Sequence, residues 1–194
     1  MNIKRKGILL ILGAALTVAS IGVGAVSLAL FTSTATVPAN TFSTGSVIIS
    51  TNPTTALVTF SAMAPGDQVT APITVSNDGT LVLRYAISSV ATNADAKALK
   101  DQLVLTVKSG VTTCTNAAYA VTGTILYTGD LDAAAGKLVG DVATGADADD
   151  RTLAAAANEV LCFNVSLPSA TGNAVQGAST TATFTFAAEQ TKNN

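Results

Sequence analysis

The sequence predicts an all-β protein, an antiparallel two-sheet β-sandwich of the jelly-roll kind with one or two short helices in its loops. Apolar and polar residues alternate with a period of two through most of the chain after residue 40, as in half-buried strands. These runs are rich in β-branched and aromatic residues and are separated by glycine, proline and asparagine turn signals. Eight such runs in one domain are typical of a sandwich.

The predicted strands follow one another closely along the chain. They lie at residues 47–49, 58–60, 69–75, 81–87, 103–107, 121–127, 161–167 and 182–188. The tripeptide Asn77-Asp78-Gly79 lies between the third and fourth strands, and it predicts a hairpin turn that requires a positive φ.

The remaining segments are predicted loops with little regular structure. Residues 94–102 have helical spacing over about two turns, and residues 153–159 form a loop with a turn. Residues 129–150 are low in complexity and hold six of the twelve acidic residues. We expect this last segment to be a long surface excursion between strands.

The amino terminus has the three parts of an export signal. Three basic residues, Lys4, Arg5 and Lys6, precede an apolar run without charges over residues 7–30. The small residues Ser27 and Ala29 end that run with the spacing of a signal-peptidase site. We therefore expect cleavage between Ala29 and Leu30, a secreted protein, and a location in the extracellular matrix or at the cell surface.

Two other interpretations of the amino terminus remain open. An uncleaved run would span about 36 Å as a helix, long enough to anchor the protein in a bilayer. A pilin-type leader would instead be cut between Lys6 and Gly7. With cleavage after Ala29, the domain organisation is a signal peptide (1–29), an amino-terminal strand (30–40), a sandwich (41–190) and a flexible tail (191–194).

The charge composition limits the partners. The chain has ten basic and twelve acidic residues, and the export signal removes three of the basic ones. An acidic domain without a basic cluster is not expected to bind nucleic acid or an anionic membrane. Charged residues make up 11% of the chain, against about 25% in average proteins. Such a surface repels itself weakly, which suits association with other copies.

The residue types present exclude several kinds of catalysis. The chain has no histidine, which removes Ser-His-Asp and Cys-His catalysis and the H-E-x-x-H zinc site. We predict no catalytic residue, no cofactor and no enzyme activity. Asp147, Asp149 and Asp150 are calcium candidates because hard cations prefer carboxylate ligands, although the alternative is a solvated acidic loop. Cys114 and Cys162 are expected to pair outside the cell, the alternative being two free thiols.

The segment directly after the cleavage point is strand-like. Phe31, Ser33, Ala35 and Val37 alternate with threonines, and Pro38 ends the run. Such a strand can pair within its own subunit. It can also add to the open sheet edge of another subunit, and head-to-tail addition generates a filament.

Seven motifs along the chain resemble the TasA/camelysin family of exported proteins. They cover both ends of the chain after the leader: LFT from Leu30, NTFSTGSV from Asn40, MAPGDQV from Met63, VSNDGTL from Val75, LCFNVSLP from Leu161, GNAVQGAST from Gly172 and FTFAAEQT from Phe184. The resemblance implies a jelly-roll domain, export through a signal peptidase of the SipW type, and assembly into matrix fibres. In such fibres the amino-terminal strand of one subunit, here residues 30–37, completes the sandwich of the next.

The resulting prediction is a non-enzymatic structural subunit of biofilm-matrix or cell-surface filaments. Its expected partners are other copies of itself, another matrix or envelope protein, and a signal peptidase during export. One alternative is a monomeric adhesin or carbohydrate-binding module. A second alternative is a surface protease, since camelysin-like members have been described as metalloproteases, but the missing histidines argue against carrying that activity over.

Overall fold

The computed structural model describes residues 33–36, 38–55, 57, 62–133 and 136–192. The predicted export signal, its cleavage site at Ala29 and Leu30, the residues Phe31 and Val37, and the predicted strand 58–60 lie outside these residues. Ser43–Asn194 forms one compact unit. No helix in the described part of the chain is long and apolar enough to cross a membrane.

The described residues form nine strands in two antiparallel sheets, which confirms the predicted sandwich. The strands are β1 (Ile49–Asn52), β2 (Gln68–Asn77), β3 (Leu83–Ala91), β4 (Val104–Ser109), β5 (Thr124–Asp130), β6 (Lys137–Val139), β7 (Arg151–Leu153), β8 (Asn158–Ser166) and β9 (Ala182–Gln190). The first sheet has the order β1-β2-β8-β4-β5. In the second sheet, β3 pairs with β9 along one edge and with β6 and β7 along the other.

The hydrophobic core lies between the two sheets. Alternate residues of each strand point inward, so Val75, Leu105 and Phe163 of the first sheet meet Leu83 and Ile87 of the second. All five are 0% exposed. Burying each such side chain contributes about 1.5–3 kcal/mol, and this apolar layer holds the two sheets together.

One α-helix of the described chain was not predicted. The helix α1 (Asn116–Val121) contains Val121, the first residue of the predicted strand 121–127. Thr115 caps α1 by accepting a hydrogen bond from the backbone N–H of Ala118 at 3.3 Å, and three alanines favour the helix. The predicted helical segment 94–102 contains only a 3-10 turn at Leu99–Asp101.

The predicted hairpin at Asn77-Asp78-Gly79 is wrong, because β2 and β3 belong to different sheets. The Asn77 side chain, 1% exposed, instead donates to the carbonyls of Leu81, Leu153 and Ala154. None of the three turn residues has a positive φ. Position 79 requires a glycine because the backbone of Ser46 lies close to it, and a Cβ there would be 2.4 Å from the carbonyl oxygen of Ser46.

The segment 129–150 is not wholly a surface excursion. It includes β6, which pairs with Ile87 and Ser88 of β3, and both Leu138 and Val139 are buried. β7 (Arg151–Leu153) follows β6 along the chain and pairs with the same edge of β3. Its last residue, Leu153, is the first residue of the predicted loop 153–159. Each of these strands has three residues, too few to establish a period of two.

Candidate functional site

An apolar cavity of about 750 Å³ lies between the sheets at one end of the sandwich. We call this cavity and the residues that line it the groove. Its lining is mostly aliphatic and aromatic, and comes from strand ends and from the segments that flank them: Leu57, Ala62, Met63, Pro65, Val69, Leu99, Leu103, Leu131, Phe163, Val165, Leu167, Ala182 and Phe184, with residues 172–181 along one side.

The alternation of β8 and β9 explains why the groove is apolar. Phe163 and Val165 lie on the inner face of β8, and Leu167 follows them. From the opposite sheet, Phe184 packs against Phe163 with a ring-centroid distance of 5.1 Å in an edge-to-face arrangement, a favourable geometry for aromatic pairs. This pair lines the groove from both sheets.

Strand edges that have no ladder partner among the described residues lie beside the groove. β1 pairs only with Thr74 to Asn77 of β2, so Gln68 to Ile73 of β2 have no ladder partner on that edge among the described residues. β9 pairs with β3, and the other edge of its stretch from Ala182 to Ala188 has no ladder partner in the described part of the chain. Such edges present main-chain donors and acceptors that an extended segment can use.

The described lining of the groove has the properties of a binding site. None of the described residues that line it carries a charge. Its polar side chains are Asn173, Gln176, Ser179, Thr180 and Thr181. Among the described lining residues no pair of titratable groups is placed for acid-base work, and the lining suits an apolar occupant that also offers main-chain hydrogen bonds.

The predicted amino-terminal strand is described only in part. Residues 33–36, which include Ser33 and Ala35, are exposed and belong to no strand. Phe31 and Val37 lie outside the described residues.

The structure contains a disulfide between Cys114 and Cys162, with a Cα–Cα distance of 5.6 Å. Cys162 alternates with the inward-facing Leu161 and Phe163 of β8 and so lies on the outer face of the first sheet. The disulfide holds the loop before α1 against that face, where Asn116 Oδ1 also accepts a hydrogen bond from Thr70 at 2.6 Å. It therefore acts away from the groove.

The calcium candidates Asp147, Asp149 and Asp150 lie in the loop between β6 and β7, which we call the acidic loop. Carboxylates of this loop accept hydrogen bonds from its own backbone N–H groups. Asp150 accepts hydrogen bonds from the backbone N–H groups of Asp141 at 2.9 Å and Asp147 at 3.3 Å, and lies 3.9 Å from the Arg84 Nε. Asp147 and Asp149 are exposed. The described residues contain no group of three or more His, Cys, Asp and Glu side chains that could hold a metal ion.

A half-buried polar triad that the sequence did not indicate links both sheets. The Tyr85 hydroxyl, on a side chain 1% exposed, donates to Glu159 Oε1 at 2.6 Å. Arg151 pairs with the same carboxylate through two nitrogens. Burial, and then the hydrogen bond to Glu159, raise the pKa of the Tyr85 phenol well above its ordinary value.

This shift in pKa predicts alkaline destabilisation. The stabilisation from neutral Tyr85 is complete below pH 10.0, the ordinary tyrosine pKa, and is lost as the pH rises above it, because the unfolded phenol ionises first. The wild-type unfolding free energy should fall more steeply than that of Tyr85→Phe, by about 1.4 kcal/mol per pH unit. Urea unfolding at several alkaline pH values measures this difference, and parallel curves for the two proteins would contradict it.

Comparisons with known proteins give one clear relationship. No curated protein matches the chain. The ASH/PapD-like domain 7 of human CEP192 is a similar solved structure at 13% identity, covering 85% of this chain and 98% of that domain, but its TM-score of 0.28 supports no argument. A family model described as camelysin metallo-endopeptidase matches residues 2–194.

The metal that this description implies has no fitting site among the described residues. The chain has no histidine, both cysteines form the disulfide, and the carboxylates of the acidic loop do not group into a metal site in the described structure. The match itself covers nearly the whole sequence. The chain therefore belongs to the camelysin metallo-endopeptidase family.

Proposed function

We propose that this protein is a secreted structural subunit of extracellular filaments, in a biofilm matrix or at the cell surface. In this proposal, residues 30–37 of one copy add as a strand to the groove of the next copy. The observation that carries the proposal is an uncharged apolar cavity of about 750 Å³ beside strand edges that have no ladder partner in the described structure.

The amino-terminal segment has the chemistry that this groove would accept. An extended strand advances about 3.3 Å per residue, so the six steps from Phe31 to Val37 span about 20 Å. Phe31, Ala35 and Val37 share one face with Ser33, and the threonines of the other face would remain in solvent. The main chain would supply affinity through ladder hydrogen bonds, and the apolar face would supply specificity.

The geometry also supports open-ended growth. A segment at the start of the chain and a groove in the sandwich are different surfaces, so their contact is heterologous. Heterologous contacts that do not close into a ring extend into filaments. Each subunit would both donate a strand and accept one, and a signal peptidase would expose the donor by cutting between Ala29 and Leu30.

Two other functions give different outcomes in the same test. A monomeric adhesin or carbohydrate-binding module would remain monodisperse at every concentration. An accessory subunit would assemble only with another matrix or envelope protein. A camelysin-like protease activity has no supporting metal site among the described residues.

The test is negative-stain electron microscopy of the exported protein (residues 30–194) over a range of concentrations. We expect regular thin filaments. The variant Ala182→Leu adds an isopropyl group to a side chain that lines the groove, and since overpacking costs about 1–3 kcal/mol it should raise the critical concentration about fivefold or more. Monodisperse particles from the wild-type protein would overturn the proposal.

A matched control is available one residue further along β9. Thr183 is exposed and does not line the groove, so Thr183→Leu adds an apolar side chain to the same strand but outside the cavity. Thr183→Leu should assemble like the wild-type protein. Equal weakening by both substitutions would show that the groove is not the acceptor.

A further inference from the structure

One side of the groove is a segment with little burial of its own. Residues 172–181 are the last part of the connection between β8 and β9, and nearly all of them line the cavity. Most of these residues are exposed, and only Val175, Ala178 and Thr180 are half-buried. We call residues 172–181 the wall. Apolar packing contributes little to holding it, so its position depends on hydrogen bonds.

Those hydrogen bonds come from the loop that follows β3. Asp95 Oδ2 accepts from the backbone N–H of Ser179 at 2.7 Å, and Lys97 Nζ donates to the carbonyl of Gln176 at 2.7 Å. At the base of the wall, Thr92 Oγ1 accepts from the N–H of Thr181 at 2.9 Å. The wall is thus tied along its length to one short loop, residues 92–97.

Asp95 is itself held in place by that loop. Its second oxygen, Oδ1, accepts from the backbone N–H of Lys97 at 3.0 Å. The backbone N–H groups of Lys97 and then Ser179 lower the pKa of the Asp95 carboxyl. Hydrogen bonds to an ionised acceptor are stronger than those between neutral groups, so this carboxylate is well suited to fix a segment that has little packing.

We infer that Asp95 and Lys97 position the wall so that the groove stays open to an incoming strand. This inference rests on the proposed function. A wall released from the loop can move into the cavity, and only the open arrangement accepts a strand. The apparent affinity for the strand falls with the fraction of subunits that are open, and a preformed groove avoids the ordering cost at the moment of binding.

The test compares Asp95→Asn with Asp141→Asn in the exported protein. Asparagine keeps one acceptor oxygen and loses the other, so one of the two hydrogen bonds of Asp95 is lost. Asp141 is a matched control: its Oδ1 accepts the N–H of Ala143, two residues on, at 3.0 Å, it is half-buried like Asp95, and it does not line the groove.

We expect Asp95→Asn to raise the critical concentration for filament formation about threefold to tenfold, which corresponds to one hydrogen bond. Amide exchange in the monomer should become faster at residues 176–181, while Asp141→Asn should leave both quantities unchanged. Lys97→Met, which removes the hydrogen bond to Gln176, should act in the same direction and covers the case in which Asp95→Asn does not fold.

The outcomes separate this inference from the function on which it rests. If the wild-type protein forms no filaments, the proposed function is wrong and the inference falls with it. If the wild-type protein assembles, and Asp95→Asn and Lys97→Met assemble equally well, the proposed function stands and the inference is wrong. Faster exchange of the wall with unchanged assembly also overturns the inference, because the ties would then be only structural.

Discussion

Deleting residues 30–37 from the exported protein is expected to abolish filament formation and to leave a folded, disulfide-bonded monomer. The deletion removes the proposed donor strand, and with it the ladder hydrogen bonds and the apolar face that would enter the groove. The sandwich strands of the described chain begin at Ile49. Sedimentation and electron microscopy measure assembly, and the near-UV spectrum and a thiol assay report the fold and the disulfide.

Two further variants test whether the effect of the deletion on assembly is specific to the amino-terminal strand. Removing the tail, residues 191–194, shortens the chain at the other end and should not affect assembly. Replacing Phe31, Ala35 and Val37 by serine keeps the length but removes the apolar face, and should also abolish filaments. Fibres formed by the deletion variant would show that the amino-terminal strand is not the connection between subunits.

The double variant Cys114→Ser, Cys162→Ser is expected to have an unfolding free energy about 4 kcal/mol lower than the wild-type protein. This figure is the chain-entropy estimate for a disulfide that joins residues 48 positions apart. The disulfide also holds the loop before α1 against β8. Urea unfolding of the oxidised wild-type protein and of the double variant measures the loss.

The same double variant tests the separation between the disulfide and the groove. Cys162 lies on the outer face of β8 and Phe163 lines the groove from the inner face, so filaments should still form under conditions in which the variant is folded. Wild-type protein in a reductant should behave like the double variant. A loss of stability below about 1 kcal/mol would contradict the chain-entropy argument.

The sequence was sufficient for the strands that alternate over a long distance. β2, β8 and β9 have nine or ten residues each, and a period of two over that length determines both the strand and its inward face. Short elements were missed: β6 and β7 are too short to show a period, and α1 depends on the cap at Thr115 and on a contact with the outer face of β8. Local pattern alone does not contain these tertiary contacts.

The turn at Asn77 shows why connectivity was harder to predict than strands. The tripeptide Asn77-Asp78-Gly79 has the composition of a hairpin, but the Asn77 amide bonds to Leu153 and Ala154, which are distant in sequence. These long-range bonds bring the chain into the other sheet. The residues that line the groove could not be predicted for the same reason, since the groove requires the ends of β2, β8 and β9 to meet in space.

The most direct test of strand donation is a structure of the assembled filament by cryo-electron microscopy. We expect an extended segment, residues 30–37, in the groove of the neighbouring subunit, with Phe31, Ala35 and Val37 pointing towards Phe163 and Phe184. The segment should also pair with an edge of β2 or β9. An empty groove between subunits, or a groove filled by residues 30–37 of the same subunit, would contradict the account.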